Sequence, residues 1–233
     1  MKRFIGSLVS LLLVLLIGCA SGGGIAPNRG EISKLKDSGS AVRAITYTPA
    51  PFVLMSAGKV AAGSLFGIVG GAVAGNSMQK AGQEMIAAYA VEDPAVAVRD
   101  RVAGTLASEF GLEPAADTAP ASDALPDLKG RFGDGTVLDT RTLGWQLIYY
   151  PSDWSHHYLI YAGRARLLRL SDGKVLWENR CFRKLPDPKG SRRTVDEYRA
   201  NNGELLKQKV QEAGAGCAEE LIAHLTGRPA VAR

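Results

Sequence analysis

The 233-residue chain contains little of the chemistry on which most enzymes depend. It has only three histidines and three cysteines, and neither a phosphate-binding GxxxxGKS/T loop nor a dinucleotide-binding GxGxxG turn follows a predicted strand. Basic residues exceed acidic residues by only 28 to 23, which gives no support to nucleic-acid binding. A content of 46% hydrophobic and 22% charged residues excludes disorder of the whole chain. We therefore expect a folded protein with no nucleic-acid partner.

The few titratable side chains do not form a predicted catalytic or metal site. A hydrolase hypothesis would nominate Asp153, Ser155 and His156, but residues so close in sequence do not easily reach the geometry of a catalytic triad. Adjacent histidines such as His156 and His157 point to opposite faces of an extended chain, which disfavours joint metal binding. His224 lies beside an apolar helical stripe and is predicted to be a boundary residue. We expect no catalytic residue, no metal and no cofactor.

Residues 1–18 form a predicted export signal. They open with Lys2 and Arg3 and continue in a ten-residue run, Leu8 to Ile17, that is apolar except for one serine. Such a run is shorter than a bilayer span and is typical of the apolar region of a signal peptide. Removal of the signal leaves 26 basic and 23 acidic residues, so the mature chain carries a net charge of about +3 instead of +5.

The signal ends in Leu16-Ile17-Gly18-Cys19, which resembles the lipobox of bacterial lipoproteins. The resemblance implies that the Cys19 thiol is acylated, that Cys19 becomes the first mature residue, and that its acyl chains anchor the protein in a membrane. In a Gram-negative cell, Ala20 instead of Asp at the next position implies the outer membrane, with the domain on the periplasmic side. The alternative is an ordinary secretory signal cleaved near Ala20-Ser21.

The two remaining cysteines, Cys181 and Cys217, are predicted to form a structural disulfide. Cys181 alternates with Val175 and Trp177 on one side of a predicted strand, and Cys217 continues an apolar stripe at helical spacing. Both thiols therefore point toward a common core, and an oxidising compartment lets the bond persist. The competing hypothesis, a catalytic or metal-binding cysteine, would need a nearby histidine or a second cysteine pair, and neither spacing is present.

The order of the elements predicts an α+β fold with a small antiparallel sheet of three to four strands, helices on one face, and a glycine-rich apolar helical segment. Strands are predicted over residues 41–48, 136–149, 157–170 and 174–182. Three regions follow the signal: a flexible tether at 19–40, a strand plus the apolar segment at 41–92, and an α+β domain at 93–228 that includes a connector at 112–130.

Local signals also predict the ends of two helices. Asp93-Pro94 supplies an N-cap and a proline in the first turn of a helix that stops at Gly111. Thr194 and Glu197 form a predicted capping box that opens the last helical region. Several glycines, Gly203 among them, weaken this region, so it is predicted to contain a kink between two helices.

The apolar segment at residues 60–79 has no charged residue and carries glycines at intervals of four: Gly63, Gly67, Gly71 and Gly75. On a helix these positions form a ridge without side chains, which another backbone can approach closely. The pattern resembles the glycine-zipper segments of bacterial envelope lipoproteins and membrane-inserting proteins, which implies self-association or membrane insertion. A buried helix packed on the sheet and a flexible loop are the alternatives.

Two surface features are candidates for contact with a partner. One is a possible partner patch of aromatic residues around the turn at 151–157: Tyr149, Tyr150, Trp154 and Tyr158. The other is a basic cluster that is a solvated loop or meets anionic lipid headgroups or an acidic partner: Arg180, Arg183, Lys184, Lys189, Arg192 and Arg193. A plain polar and aromatic turn is the competing interpretation of the first feature.

The segment YLIYAGRARLLRLSDGKVLWENRC, residues 158–181, is similar to hairpins in periplasmic lipoprotein domains of the curli-secretion-channel and penicillin-binding-protein-activator types. The similarity implies helices packed on a small sheet and implies no activity. We therefore expect a non-catalytic outer-membrane lipoprotein that acts through protein–protein contacts in envelope structure or assembly. The alternative is an oligomeric, membrane-active or secretion-associated lipoprotein that uses the glycine zipper.

Overall fold

A computed structural model describes residues 24–58, 60 and 67–229 of the chain. This part contains five helices, seven strands and a short 3-10 turn at Lys189–Ser191. The helices are α1 (Arg29–Asp37), α2 (Gly67–Ala88), α3 (Pro94–Phe110), α4 (Leu125–Phe132) and α5 (Val195–Thr226). The strands are β1 (Val42–Thr46), β2 (Phe52–Leu54), β3 (Ala115–Ala116), β4 (Thr136–Tyr150), β5 (Asp153–Arg169), β6 (Lys174–Leu185) and β7 (Arg193–Thr194).

All seven strands belong to one mixed sheet in the order β3-β1-β4-β5-β6. The long strands β4 and β5 form its centre as an antiparallel hairpin. β1 and β2 both pair in parallel with β4, one after the other along the same edge, while β6 and β7 share the free edge of β5. All other strands except β3, which pairs with β1, are therefore hydrogen-bonded to this one hairpin.

The predicted α+β class is confirmed, but the sheet is larger than the predicted three to four strands and is mixed instead of antiparallel. The predicted first strand exists, but Pro49 and Pro51 divide its region into β1 and β2, and both run parallel to β4. Proline removes a backbone donor, which explains the break between the two short strands. Parallel pairing is set by distant chain segments, so the local alternation of residues does not reveal it.

The first face of the sheet is covered by α2, α3 and α5, which bury the main core. The predicted ends of α3 are confirmed: the Asp93 side chain accepts a hydrogen bond from the backbone N–H of Ala95, and Gly111 ends the helix with a left-handed φ of 65°. The capping box of Thr194 and Glu197 is also present. The predicted kink falls at residues 200–203, where Gly203 has a φ of 72°.

The second face of the sheet carries a helix that was not predicted. α4 begins within the predicted connector, extends two residues beyond it, and buries Leu128 against Val137, Leu168 and Leu170. Helices therefore cover both faces, although α4 is only 8 residues long and covers one end. Its sequence, LPDLKGRF, offers only about two turns of apolar periodicity, which is too short to distinguish a helix from a loop.

The N-terminal segment is tied to the free edge of β6. Ile25 exchanges two backbone hydrogen bonds with Glu178, at 2.7 and 3.1 Å, and the N–H of Asn28 donates to the carbonyl of Leu176 at 2.9 Å. The helix α1 follows and buries Ile32 in the main core. From Ile25 onward, the region predicted as a tether is thus part of the fold.

The glycine-spaced segment lies partly in α2, which begins at Gly67. A Cβ placed on Gly75 would meet nothing within 4 Å, so no described segment packs closely there. The close approach occurs at Gly82 instead, where a Cβ would lie 2.1 Å from the carbonyl oxygen of Phe52 in β2. Gly63 is outside the described residues. None of the helices described here has both the length and the apolar character that a membrane crossing requires.

Candidate functional site

The β4–β5 hairpin and the edge strand β6 hold the candidate sites, and a disulfide fixes this region to α5. Cys181 of β6 and Cys217 of α5 are bonded, with Cα atoms 5.3 Å apart and a sequence separation of 36. Both are almost fully buried in the main core, at 2% and 0% exposure. The predicted disulfide is therefore present, and the stripe that contains Cys217 is buried as expected.

The disulfide lies over Gly163 of β5, a position that no local sequence pattern singles out. A Cβ at this position would lie 3.2 Å from the Cys181 sulfur and 3.3 Å from the Cys217 sulfur. Contacts this short would displace the bond or the strand. Gly163 thus provides the space in which strand and helix are joined.

The tip of the β4–β5 hairpin exposes a single large indole. Tyr149 pairs with His157 and Tyr150 with Asp153, so residues 154–156 have no partner on β4 and bulge from the ladder. Trp154 is 65% exposed, yet its Nε1–H donates to the carbonyl of Pro151 at 2.9 Å. The ring is therefore held in one position while most of its surface faces solvent.

The other members of the predicted aromatic patch are less accessible. Tyr150 and Tyr158 are each only 6% exposed and pack against each other with ring centroids 4.7 Å apart. The Tyr150 hydroxyl accepts a hydrogen bond from the backbone N–H of Asp187 at 2.7 Å. Tyr149 is half-buried. The exposed part of the patch is thus Trp154, and Tyr150 and Tyr158 form its support.

Polar contacts hold the tip from the side of β7. Asp153 accepts from His156 Nδ1 at 2.7 Å and pairs with Arg192 at 3.3 Å, and the Arg192 guanidinium lies 4.0 Å from the centre of the Tyr150 ring. These contacts, first the hydrogen bond from His156, lower the pKa of Asp153. His157 is buried, and its Nε2 donates to the carbonyl of Met55 at 2.9 Å; burial lowers its pKa. The two histidines therefore act separately.

A buried ion cluster marks the end of the region that α4 covers on the second face. The Asp139 carboxylate is fully buried and binds Arg164 Nη2 at 3.1 Å and Arg166 Nε at 2.8 Å. Burial raises the pKa of Asp139, and both guanidiniums oppose this shift. Arg164 also donates to Asp123, at 3.0 Å. The carboxylate is thus satisfied by arginines of the neighbouring strand.

Beyond this cluster the second face is uncovered in the part of the chain that the structure describes, and we call this region the open face. Leu143, at 40% exposure, and Phe182, at 62%, are its most exposed apolar side chains. Strand register places Arg180 and Lys184 on either side of Phe182, and Ala162 and Ile160 of β5 beside them. The open face therefore combines apolar and basic side chains.

The cations of the open face have weak or no anionic partners nearby. Arg180 Nη2 lies 4.0 Å from Glu178, and its side chain is 62% exposed. The Lys184 ammonium lies 5.0 Å from the centre of the Tyr158 ring. Of the acidic residues at its border, Asp123 pairs with Arg164, and Glu178 offers Arg180 only the contact at 4.0 Å. The open face therefore presents positive charge to the solvent.

A concave groove lies between α3 and α5. Its volume is about 500 Å³, and it is lined mainly by small apolar side chains, with Asp93 at one end. The Asp93 Oδ1 accepts from the Thr142 hydroxyl, whereas its buried Oδ2 has no hydrogen-bond partner. Burial raises the pKa of Asp93. His224, predicted as a boundary residue, lies elsewhere and accepts from Trp177 Nε1 at 2.9 Å.

No cluster of three or more histidine, cysteine, aspartate or glutamate side chains suited to a metal ion lies within residues 24–58, 60 and 67–229. Of the remaining residues singled out in the sequence, Gly67 and Gly71 lie in the first turns of α2. Cys19 lies outside the described residues, so its acylation stays a prediction.

Comparison with known proteins gives likenesses in structure alone. No protein-family model and no curated protein matches the chain. Among solved structures, the chain is similar to a PelC dodecamer from Paraburkholderia phytofirmans, at 15% identity over 51% of this chain and 71% of that chain, with a TM-score of 0.28. It is also similar to the protein XCC0632 from Xanthomonas campestris, at 16% identity over 57% and 61% of the two chains, with a TM-score of 0.28.

A third similar structure is the lipoprotein GNA1162 from Neisseria meningitidis, at 14% identity over 74% of this chain and 96% of that chain, with a TM-score of 0.22. Identities and TM-scores this low carry no conclusion about function or assembly. The functional argument therefore depends on the residues of this chain.

Proposed function

We propose that the chain is a non-catalytic lipoprotein of the bacterial envelope, anchored in the outer membrane of a Gram-negative cell through acylated Cys19. Its domain acts on the periplasmic side through protein–protein contacts in envelope structure or assembly. The lipobox-like motif supports the anchor. The disulfide between the two other cysteines supports an oxidising compartment, because such bonds are rare in the cytosol.

The observation that carries the contact role is the fixed, exposed Trp154. Tryptophan is enriched among interface hot spots, and an ordered ring loses little conformational entropy on binding. The hydrogen bond to Pro151, the Asp153–His156 contact and the buried tyrosines hold the tip before any partner arrives. The tip is therefore suited to insert the indole into an apolar pocket of another protein.

Photo-crosslinking in cells tests this role. The photoreactive amino acid benzoylphenylalanine replaces Trp154 in the full chain, and Val96, which is 38% exposed on α3, serves as the control position. We expect a discrete protein adduct from position 154, absent from position 96 and lost when the protein carrying native Trp154 is co-expressed in excess. The same adducts at both positions, or none at 154, would contradict the contact role.

The anchor is tested separately by intact-mass measurement of the purified mature protein. We expect a diacylglyceryl modification on Cys19 and its loss in Cys19→Ser. A mature chain cleaved near Ala20-Ser21 without lipid would refute the lipoprotein proposal, whatever Trp154 contacts. Ser155→Ala removes the only nucleophile that the enzyme hypothesis nominates and leaves the Asp153–His156 contact in place. We expect this variant to keep the cellular phenotype of the wild type.

One observation favours a second candidate, an oligomer built through α2. The backbone at Gly75 has no described neighbour within 4 Å, so a second copy has room to approach this turn. Leucine at both Gly67 and Gly71 should then shift the mature protein to smaller species on a detergent gradient. An unchanged sedimentation profile and unchanged membrane partitioning would exclude the zipper.

A further inference from the structure

We infer that the open face of the sheet lies against an anionic phospholipid surface, the membrane in which the chain is anchored. The inference rests on the proposed acylation of Cys19 and adds an orientation to it. It assigns Phe182, Arg180 and Lys184 to the lipid side of the domain, and it leaves Trp154 free for a protein partner.

The length of chain between anchor and fold limits how far the domain stands from the membrane. Ile25 is hydrogen-bonded to Glu178 of β6, and only six residue steps separate it from Cys19. A fully extended chain spans at most about 3.6 Å per residue, so Cys19 lies within about 20 Å of Ile25. That distance is smaller than an ordinary domain, so one side of the domain must face the lipid closely.

The direction of the chain at Ile25 indicates which part of the domain lies near the anchor. From Asn28 to Ile25 the segment runs antiparallel to β6, because Asn28 bonds to Leu176 and Ile25 to Glu178. Toward the N-terminus the chain therefore heads along β6 in the direction of Phe182. Phe182 lies four residues beyond Glu178, about 13 Å along the strand, which is within the reach of the anchor.

The chemistry of the open face fits a membrane interface. Phe182 and Leu143 offer exposed apolar surface, and Arg180 and Lys184 place cations on both sides of Phe182. Long basic side chains reach phosphate groups while their methylene chains and aromatic neighbours contact the acyl boundary. Each cation near an anionic membrane contributes attraction that falls with ionic strength.

The alternative occupant, a second copy added as a strand to β6, has little free edge to use. Ile25 already pairs with Glu178 on this edge. Farther along the same edge, the outward-facing N–H of Phe182 donates to the Glu220 carboxylate of α5. Natural sheets protect edges in this way against strand addition. Contacts with another molecule are thus open to the side chains of the open face, and not to the backbone of its edge.

Trp154 provides an internal control because it lies farther from Ile25 than the segment to Cys19 can reach. Arg166 pairs with Glu178, and β5 runs nine residues from Arg166 to His157 before the bulge that contains Trp154. That is about 30 Å along the strand, beyond the reach of a chain of about 20 Å. The two exposed aromatic residues are therefore expected to contact different molecules.

The test uses the full mature lipoprotein in vesicles of phosphatidylethanolamine and phosphatidylglycerol at a ratio of about three to one. Benzoylphenylalanine replaces Phe182, Trp154 or Val96 in three separate proteins, and co-flotation with the vesicles first verifies the anchor. We expect phospholipid adducts, identified by mass, at position 182 and at most one tenth of that yield at positions 154 and 96.

Charge reversal tests the electrostatic part of the inference. The double substitution Arg180→Glu and Lys184→Glu should lower the lipid adduct at position 182 by about tenfold or more, given roughly 1 kcal/mol for each basic residue near an anionic surface. The matched control reverses two exposed cations on the helical side, Lys80→Glu and Arg199→Glu, and should leave the yield unchanged. Vesicles of phosphatidylcholine alone should give a yield as low as that of the Arg180 and Lys184 variant.

The possible outcomes separate this inference from the proposed function. Equal lipid yields at positions 182 and 96, in a protein that floats with the vesicles, would overturn the orientation and leave the lipoprotein proposal intact. A dimer adduct or a cellular protein adduct at position 182 in place of lipid would overturn it as well. Failure of the unmodified chain to acquire lipid at Cys19 would instead refute the proposed function itself.

Discussion

The two faces of β5 are built from the same strand and are stabilised by different interactions. On the first face, Tyr161, Ala165 and Leu167 are buried under helices, and Gly163 makes room for the disulfide. On the second face, Arg164 and Arg166 surround a buried carboxylate at one end, and the other end is open. The first face therefore determines stability through packing, while the second face is free to carry contacts with other molecules.

The largest expected effect is on the first face. Alanine at both Cys181 and Cys217 should lower the free energy of unfolding by about 4 kcal/mol, because the bond closes a loop of 36 residues. Urea denaturation followed by circular dichroism measures the loss. Reduction of the wild type during unfolding should give the same midpoint as the variant. A midpoint unchanged by either treatment would contradict a stabilising disulfide.

The buried ion cluster should dominate the stability of the second face. Asp139→Asn leaves Arg164 and Arg166 without their shared anion and should cost about 3 kcal/mol. The control, Asp134→Asn, changes a carboxylate that is 80% exposed and 4.0 Å from Lys129, and should alter stability by less than about 0.5 kcal/mol. Similar losses of unfolding free energy for the two variants in urea denaturation would show that the buried cluster stabilises the protein no more than the exposed Asp134–Lys129 pair does.

A smaller effect should separate the two kinds of glycine in α2. Gly82→Ala places a Cβ against the Phe52 carbonyl and should cost about 2 kcal/mol through overpacking. Gly75→Ala meets no neighbour and should raise stability by up to about 1 kcal/mol, since alanine is the better helix former. Thermal unfolding of both variants checks the contrast. Equal losses would mean that Gly75 also faces a packed surface.

The smallest expected effect concerns pH and His157 at the hairpin tip. Burial lowers the pKa of His157 in the folded protein below its ordinary value of 6.5, so the unfolded chain binds a proton more readily. The free energy of unfolding should therefore decrease as pH falls below 6.5. His157→Gln should make this decrease shallower between pH 7 and pH 5, measured by denaturation at each pH. An unchanged pH profile would exclude His157 as its source.

Short-range signals in the sequence predicted the features that neighbouring residues determine. The Asp93-Pro94 start of α3, the capping box at Thr194 and the hairpin turn before Lys174 all depend on residues within a few positions of each other. The disulfide was predictable because Cys181 and Cys217 each continue an inward-facing pattern of their own element. In each case, the residues adjacent in sequence were sufficient to predict the feature.

The remaining features depend on partners that are distant in sequence. The parallel pairing of β1 and β2 with β4 requires a crossover, and the short α4 gains its stability only from Val137 and Leu168 on the sheet. The glycine pattern drew attention to Gly75, whereas contact with Phe52 places the close approach at Gly82. The open face was likewise hidden, because exposure of Phe182 depends on where α4 stops covering the sheet.

Because the disulfide is buried, the rate of its reduction depends on how often the domain opens locally. A thiolate reductant must reach a sulfur atom directly, and both sulfurs belong to residues that are at most 2% exposed beneath α5. Reduction of the native protein is therefore limited by how often the α5–β6 contact separates, and an added thiol reports that frequency. The rate at which a mild reductant cleaves the bond therefore measures the frequency of local opening, and the chain needs no label.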